Sequence, residues 1–287
     1  MLVEKLHKTI SGDTNLDVLL YLPDGNKQFP AILISHGFLS AKEEFADLPE
    51  NLAKDGYVVL TYDFSGHGKS TGDRGYIRGD IHLKDAERAL KLLLEQVKTD
   101  PNRIAVLGHS LGTVATTRLI TESELGKKVK TAILLSPPKK MSDSVSALEL
   151  KAYKIAYNFS WPILLLTGKH IYLPYKFKAK DIYFSNQAIK RADELNFLQK
   201  HMPINNYSYM IGQIDNERFA SKIEIPVLVG VAKDDKLVPN SGSKKVYDAI
   251  KTEKKWFEIS NSGHSMMADN SASDLEKEIL SWLKEKL

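Results

Sequence analysis

One serine in this sequence lies in a pattern that suits a nucleophile. Ser110 is the centre of the run GHSLG (108–112), between an apolar stretch at 104–107 and a helical stretch at 113–120. At a sharp turn from strand to helix, a serine hydroxyl projects above the sheet, and flanking glycines remove side chains that would clash. The helix that begins there directs its N–H groups at developing negative charge. We predict that Ser110 is a nucleophile; an incidental serine in a glycine-rich turn is the alternative.

A serine hydroxyl needs a base to remove its proton, and the position of His264 suits that role. His264 lies in the run SGHS (262–265), just after a predicted strand at 256–259, so a loop can carry its ring over Ser110. His109 adjoins the serine on a sharp turn and should point elsewhere. The other six histidines lie in glycine loops or follow no core strand appropriately: His7, His36, His67, His82, His170 and His201. We predict that His264 is the base, with a solvent-exposed loop histidine as the alternative.

Two adjacent aspartates compete for the third role, that of the acid beside the base. Asp234 and Asp235 lie in the loop at 232–239, which follows a predicted buried strand at 226–231. A carboxylate there can fix the tautomer of the imidazole and stabilise its protonated form. The place of Asp235 relative to the turn at Val238-Pro239 favours Asp235, with Asp234 facing solvent. The alternative is that both aspartates are surface charges of the loop.

Backbone amides are the candidates for binding a negatively charged oxygen in the transition state. The predicted strand at 29–35 runs directly into the sequence HGF (36–38). The N–H of Phe38, together with that of Leu111, would hold the oxygen of a tetrahedral intermediate. An ordinary glycine turn after a strand is the alternative.

Short apolar runs bounded by turn residues must position these groups. They predict strands at 16–22, 29–35, 57–63, 104–107, 130–135, 226–231 and 256–259. Helical patterns alternate with them, and repeated strand–helix units are typical of the α/β class. We therefore predict a mostly parallel central sheet with helices on both faces.

The helical patterns have recognisable starts and stops. Pro49 is predicted to kink the first helix. The second has one apolar face that includes Val97. Ser273 and Glu276 have the spacing of a capping box at the start of the last helix. The predicted helices cover 42–54, 83–97, 113–120 and the C-terminal residues from 273 onward.

The segment 139–222 interrupts this alternation and is too long for a loop. It holds seven of the 12 tyrosines. Its run PILLLTG (162–168) imitates a core strand, but no carboxylate follows before Asp181, so we assign it to the same segment. We predict an α/β core at 1–138 and 223–287, with 139–222 as a cap, or lid, over the ligand-binding edge of the sheet.

Aromatic side chains of this cap are candidates for a substrate pocket. Tyr153, Tyr157 and Trp161 lie in its first helical stretch. Small-molecule pockets are mostly apolar and contain few polar groups. We predict that these three residues line the pocket; the alternative is that the aromatic residues of the cap pack only on one another.

Composition excludes several classes of protein. The 287 residues are 43% hydrophobic and 26% charged, as in ordinary globular proteins. The net charge of +4 comes from scattered lysines, which argues against nucleic-acid binding. The chain has no cysteine, so thiolate catalysis is excluded. No apolar stretch is long enough to span a membrane and no signal-peptide pattern is present, so we predict a cytoplasmic protein.

Three patterns that could bind a cofactor or metal are incomplete. The run GHG (66–68) would need a glycine at 71 to form a dinucleotide loop, and that residue is Thr71. A phosphate-binding loop ending at 68–70 would need a glycine where Asp63 stands. No histidine has zinc-site spacing to Glu or Asp. We predict no cofactor and no metal.

Together these motifs resemble the α/β-hydrolase superfamily over nearly the whole chain. The order Ser110, Asp235, His264 is the order in that superfamily. The stretch from HGFLS (36–40) to Phe45 is similar to the oxyanion loop of the monoacylglycerol lipase and cinnamoyl or feruloyl esterase branch, and is nearer to the esterases. The run DFSGHGKS (63–70) resembles the Gly-His-Gly-x-Ser loop of that branch.

This resemblance implies a serine hydrolase that forms an acyl-enzyme on a small carboxylic ester or a monoacylglycerol. Three alternatives stay open: a peptidase with the same triad, an acyltransferase with the same triad, and a ligand-binding relative without activity. No triad residue is missing, as it usually would be in the last case. The sequence does not determine the oligomeric state.

Overall fold

The computed structural model describes residues 2–140, 147–174, 179–195, 198, 200–207 and 215–287. Its centre is an eight-stranded sheet, and two further strands form a small antiparallel pair. The central strands are β1 (Val3–Ile10), β2 (Leu16–Pro23), β3 (Phe29–Ser35), β4 (Val58–Tyr62), β5 (Thr99–His109), β6 (Val129–Leu135), β9 (Val227–Ala232) and β10 (Lys254–Ile259). The small pair is β7 (Tyr172–Pro174) and β8 (His201–Pro203).

The order of strands in the central sheet is β1-β2-β4-β3-β5-β6-β9-β10. Strand β2 is antiparallel to both of its neighbours, and the strands from β4 to β10 in this order run parallel to one another. The carboxyl ends of these parallel strands lie along one edge, where open α/β sheets bind ligands. The predicted α/β fold with a mostly parallel sheet is confirmed.

Helices cover both faces of this sheet. In strand β3, Ala31 and Leu33 belong to one hydrophobic cluster while Ile32 and Ile34 belong to another. Since alternate residues of a strand point to opposite faces, these are the two layers of the core. Buried residues of α2, α3 and α8 join the first cluster, and those of α1 and α9 join the second. The helices are α1 (Leu48–Lys54), α2 (Gly79–Leu94), α3 (Leu111–Glu122), α4 (Ala147–Thr167), α5 (Ala179–Ile182), α6 (Asn186–Leu195), α7 (Asn216–Ala220), α8 (Asn240–Ala249) and α9 (Ala272–Lys286).

Helix α2 begins and ends earlier than its apolar pattern predicted. It ends at Leu94, which leaves Val97 outside the helix and 90% exposed rather than buried. The chain turns there because the N–H of Thr99 bonds to the Gln96 carbonyl, and the N–H of Phe29 bonds to the Lys98 carbonyl. Pairing with β3 thus starts β5 at Thr99, five residues before the predicted strand.

The starts of two other helices also differ from prediction. Pro49 does not kink a long helix; it occupies the first turn of α1, where its missing N–H costs nothing. The preceding residues 42–45 form a separate 3₁₀ turn. Helix α9 starts at Ala272, so Ser273 is inside it, and the predicted capping box is wrong. The Glu276 carboxylate instead accepts a hydrogen bond from the Asn51 amide.

Strand β1 has no counterpart in the predicted set of strands. It lies at the edge of the sheet beside β2, so all of its residues stay at least partly exposed. Its charged residues hide the apolar alternation that marks a half-buried strand.

Among the described residues, no helix is both long and apolar enough to cross a bilayer.

The predicted cap segment contains helices α4 to α7 and the small β7–β8 pair. Its apolar run 162–168 lies in and just after helix α4, not in a strand. Helix α7, at the end of the segment, packs against α3 and α8 of the core. The Asn216 amide donates a 3.1 Å hydrogen bond to the Thr113 hydroxyl, which joins α7 to the first turn of α3.

Candidate active site

Ser110 occupies the sharp turn between β5 and α3. Its φ of 51° lies in the left-handed region that a residue with a side chain rarely adopts. The N–H of Ser110 donates a 2.9 Å hydrogen bond to the Leu135 carbonyl at the end of β6. The Ser110 carbonyl accepts bonds from both the N–H and the hydroxyl of Thr113. These bonds hold a strained backbone in place, as functional turns often require.

The two glycines beside Ser110 are needed because backbone atoms approach them closely. A Cβ on Gly108 would lie 2.5 Å from the Gly112 carbonyl oxygen. A Cβ on Gly112 would overlap the carbonyl oxygen of Ser35. Helix α3 can therefore pack against the ends of β3 and β5 only with glycine at these positions, as the sequence predicted.

Asp235 and His264 form a short hydrogen bond above the same edge of the sheet. The Nδ1 atom of His264 lies 2.7 Å from Oδ2 of Asp235, whose side chain is fully buried. The other oxygen, Oδ1, accepts the N–H groups of Leu237 and Val238 at 2.9 Å each. Asp234 is exposed. The structure thus brings His264 together with Asp235, the aspartate that sequence reasoning favoured.

The carboxyl of Asp235 is held in its charged form. Burial alone would raise the pKa of Asp235, but the charge and hydrogen bond of His264 and the two backbone N–H groups outweigh burial. Its pKa therefore lies below its ordinary value. A charged, oriented carboxylate of this kind can stabilise the protonated imidazole that forms when a base accepts a proton.

The loop that begins at His36 runs beside Ser110. A Cβ on Gly37 would lie 3.4 Å from the Ser110 Cβ. The Gly37 N–H donates to the Glu44 carboxylate at 2.8 Å, and Phe38 follows as a partly buried residue. Leu111 is the first residue of α3, where helical N–H groups have no partner within the helix. Both predicted amide donors thus belong to backbone that borders Ser110.

The GHGKS motif shapes this loop through Asp63. The buried Asp63 carboxylate accepts the N–H of Lys69 and both the N–H and the ammonium of Lys42. Burial alone would lower the pKa of Lys42, but Asp63 and Asp17 outweigh burial and raise it. The Phe64 N–H also donates to Nε2 of His36 at 3.0 Å. These hydrogen bonds join the run 63–70 to the loop at 36–45, and none of them involves Ser110.

Two histidines near this loop are buried and neutral. Burial, reinforced by the neighbouring His36, lowers the pKa of His82 to about 3 and holds that of His67 well below its ordinary value. The His82 ring stacks on the Phe64 ring, with 4.5 Å between centroids, and the His67 ring meets the His82 ring edge-on at 5.7 Å. No group of three or more His, Asp or Glu side chains in the described parts of the chain is arranged to hold a metal ion.

Glu44 and His109 are buried polar residues of the site that sequence reasoning did not select. The His109 ring bonds to Glu44 and to the His264 carbonyl. The only signal in the sequence was an acidic residue in the stretch that resembles an oxyanion loop. The pairing of Glu44 with a histidine 65 positions away leaves no pattern in the local sequence.

The predicted pocket residues lie on helix α4. The Tyr157 ring lies 6.0 Å from the Trp161 ring and 5.5 Å from that of Tyr207, measured between centroids. Tyr153 is partly buried on the same helix, and Trp161 is 44% exposed. These ring contacts lie within the segment 139–222, and the role of the three residues towards substrate stays a prediction. Large apolar side chains of α4 also face solvent, among them Leu148, Ile155, Phe159, Leu165 and Leu166.

A second part of the predicted cap contacts the loop that carries His264. The Ser265 N–H donates to the Ile182 carbonyl at 3.0 Å. The buried Asp269 carboxylate accepts the N–H groups of Phe184, Ser185 and Gly263. The segment at 182–185 is therefore joined to the His264 loop by one backbone–backbone hydrogen bond and by the Asp269 carboxylate, which binds N–H groups of both.

We expect Gly263→Ala to lower kcat/KM for an activated ester by roughly 10- to 100-fold, the cost of misplacing a catalytic group by about 1 Å. A Cβ on Gly263 would lie 2.6 Å from the Ile182 carbonyl oxygen and 3.0 Å from the Phe184 nitrogen. Because both contacts are with backbone, the loop or the segment at 182–185 must shift. Steady-state kinetics and thermal unfolding of the variant measure the two consequences.

Gly168→Ala is the matched control for this substitution. Gly168 has a φ of +67° and nothing within 4 Å of its Cβ position. Alanine there should cost about 1 kcal/mol through backbone strain alone and leave kcat/KM unchanged. If both variants lost activity equally, contact between the cap segment and the His264 loop would not explain the result.

Comparisons with known proteins identify the family of the chain. The family model described as serine aminopeptidase, S33 matches residues 26–271. An uncharacterised 31.7 kDa protein of Escherichia coli is 21% identical over 250 residues, covering 85% of each chain. Cutinase 2 of Thermobifida cellulosilytica is 31% identical over 125 residues, which are 41% of this chain and 43% of the cutinase.

The fold is shared with proteins of known structure. The monoacylglycerol lipase of Paleococcus ferrophilus superposes with a TM-score of 0.75 at 20% identity, covering 95% of this chain and 99% of that one. At this level of identity the likeness concerns the fold.

Proposed function

The chain belongs to the serine aminopeptidase S33 family of α/β-hydrolases, and on that premise we propose that it hydrolyses carboxylic esters through an acyl-enzyme on Ser110. The observation that carries the proposal is the arrangement at the sheet edge. A serine on a strained turn lies beside the loop at 36–38, and the His264–Asp235 pair occupies the same edge. Each member follows the end of a parallel strand.

In the proposed mechanism, Ser110 Oγ attacks the ester carbonyl carbon while His264 takes the hydroxyl proton. Asp235 holds the imidazole through Nδ1, which leaves Nε2 as the base. The amides of Phe38 and Leu111 bind the oxyanion, and each such donor contributes roughly 3 kcal/mol in the transition state. The C–O bond of the ester then breaks, and the alcohol leaves with the proton from His264. Water repeats the cycle on the acyl-enzyme and releases the acid.

Of the relatives given above, the cutinase has the highest identity to this chain, and this similarity favours an ester substrate over an amide. A small carboxylic ester or a monoacylglycerol is the substrate class we propose. The cap at 139–222, with solvent-facing apolar side chains on α4, suits an acyl group better than a charged peptide. We propose that this segment covers the sheet edge as a lid.

A peptidase activity is the second candidate, because the family model itself is described as an aminopeptidase. The same triad could attack an amide, whose amine also leaves with a proton from His264. A panel of p-nitrophenyl esters and aminoacyl p-nitroanilides separates the two. Turnover of the esters alone supports the esterase, and faster turnover of the anilides would replace it with the peptidase.

Labelling with a fluorophosphonate tests the proposed chemistry directly. The reagent phosphonylates an activated serine, and peptide mapping identifies that serine. We expect one label per chain, on Ser110, with loss of ester hydrolysis in proportion. A label on another serine, or ester hydrolysis that persists after full labelling, would contradict the proposal.

We expect each of the single variants Tyr153→Ala, Tyr157→Ala and Trp161→Ala to change the order of kcat/KM values among p-nitrophenyl esters of different acyl-chain length. If these side chains form a wall of the acyl pocket, each lost contact should shift selectivity by about 1–3 kcal/mol, as methylene-scale contacts do. The measurement is kcat/KM across the ester series, with fluorophosphonate labelling to show that Ser110 stays reactive.

Phe159→Ala is the control for the pocket prediction, because Phe159 lies on the same helix and is 74% exposed. Its ranking of esters should match that of the wild-type protein. A uniform scaling of every rate in the Tyr153, Tyr157 and Trp161 variants would instead indicate that the cap aromatics act only as structural support.

A further inference from the structure

A buried ion pair links the two loops that border Ser110. Oε1 of Glu44 accepts the Gly37 N–H at 2.8 Å and lies 3.0 Å from Nδ1 of His109. On the other side of the ring, Nε2 of His109 lies 2.9 Å from the carbonyl oxygen of His264. Both side chains are almost fully buried. One continuous path of hydrogen bonds therefore runs from the loop at 36–38 to the backbone of His264.

The partners of the His109 ring define its protonation. Both ring nitrogens face oxygen acceptors, a carboxylate and a backbone carbonyl. A neutral imidazole has only one N–H, whereas the imidazolium has two. The Glu44 carboxylate already accepts the Gly37 N–H, as a charged acceptor does. The arrangement is therefore that of an imidazolium paired with a carboxylate.

The charges around the pair favour the same state. Burial would lower the pKa of His109, but the charge and hydrogen bond of Glu44 outweigh burial and raise it. Burial would raise the pKa of Glu44, but His109 outweighs burial and lowers it. Asp235 also favours the charged ring, and His36 favours the charged carboxylate. The remaining groups that face the pair are the His264 ring, the Ser40 hydroxyl and, from the cap, Tyr183.

We propose that Glu44 and His109 are positioning residues that hold the oxyanion loop and the His264 loop in one geometry. The proposal rests on the proposed function of Ser110 and His264. The centroids of the two histidine rings are 4.7 Å apart. Neither Glu44 nor His109 touches the reacting atoms in this scheme.

The test compares Glu44→Gln, His109→Gln, the double variant and Asp85→Asn. Asp85 is a control of similar burial: its carboxylate accepts the N–H and hydroxyl of Ser65 and pairs with Arg88. We expect each Glu44 or His109 variant to lose about 100-fold in kcat/KM, mostly in kcat, because it misplaces catalytic groups. The double variant should lose about as much as one single variant, since the two residues act as a unit. Asp85→Asn should lose thermal stability and keep its rate.

The value of kcat per reactive site distinguishes positioning from a purely structural role. Each rate is divided by the number of sites that the fluorophosphonate labels, so that a loss of folded protein does not count as a loss of kcat. The Glu44 and His109 variants should lose kcat per labelled site while KM stays within about twofold of the wild-type value, because misplaced catalytic groups slow the chemical step. The double variant also keeps the test valid if the unpaired carboxylate in His109→Gln prevents folding.

Each result points to one conclusion. If wild-type Ser110 fails to take the fluorophosphonate label, the proposed function fails and the pair has no triad to position. If wild-type Ser110 labels normally but the Glu44 and His109 variants behave like Asp85→Asn, only the positioning proposal is overturned. Additive losses in the double variant, or an unchanged kcat per labelled site in a folded His109→Gln, would also overturn it.

Discussion

Replacing Ser110 with alanine should lower kcat for ester hydrolysis by a factor on the order of 10⁴ or more, as loss of a triad member does. The change removes one hydroxyl from a residue that is 6% exposed and leaves the backbone hydrogen bonds described above in place. Alanine keeps the same Cβ at the same φ of 51°, so the turn between β5 and α3 is preserved. Kinetics with a p-nitrophenyl ester, fluorophosphonate labelling and thermal unfolding measure the outcome.

Ser123→Ala is the control at the opposite end of the same helix. Ser123 caps the C-terminus of α3, and its buried hydroxyl has no hydrogen-bond partner among the described residues. Its loss should change neither rate nor labelling. Retention of more than about a tenth of the wild-type kcat in Ser110→Ala would show that another group is the nucleophile, since residual catalysis without a triad is far lower.

The strands could be predicted from the sequence because parallel strands are buried on both faces. Such strands form short continuous apolar runs, and the predicted bounds of β3 are the observed ones. Where burial is one-sided, the signal is weaker. Strand β1 carries charged residues on an edge, and Val97 shares the apolar spacing of α2 but lies beyond a turn fixed by pairing with β3. Both errors arise from tertiary contacts that local spacing does not contain.

The triad candidates could be selected because each follows the end of a core strand. Strand ends of a parallel sheet meet at one edge, so chain order and spacing imply proximity. The choice of Asp235 over Asp234 rested on the turn at 238–239, and the N–H groups of Leu237 and Val238 do bind the Asp235 carboxylate. The support around these residues could not be predicted. Glu44 reaches His109, and Asp269 reaches the segment at 182–185, through pairings between distant parts of the chain.

Asp235→Asn should lower kcat by a factor on the order of 10⁴, the cost of the same change in a well-characterised serine protease triad. The structure gives a specific reason. Oδ1 of Asp235 accepts two backbone N–H groups, so the asparagine oxygen should stay there and direct its NH₂ group at His264 Nδ1. That nitrogen must then accept, which places the proton of the neutral ring on Nε2. The ring can no longer take a proton from Ser110.

Asp234→Asn separates this effect from a general loss of negative charge in the same loop. Asp234 is adjacent and exposed, so its replacement should leave kcat/KM within about twofold of the wild-type value, as ordinary surface substitutions do. Both variants change the net charge by one and keep the shape of the side chain. The comparison therefore isolates the contact with His264. Equal losses in the two variants, or a larger loss in Asp234→Asn, would mean that Asp235 does not orient the base, and the acid of the site would have to be sought elsewhere.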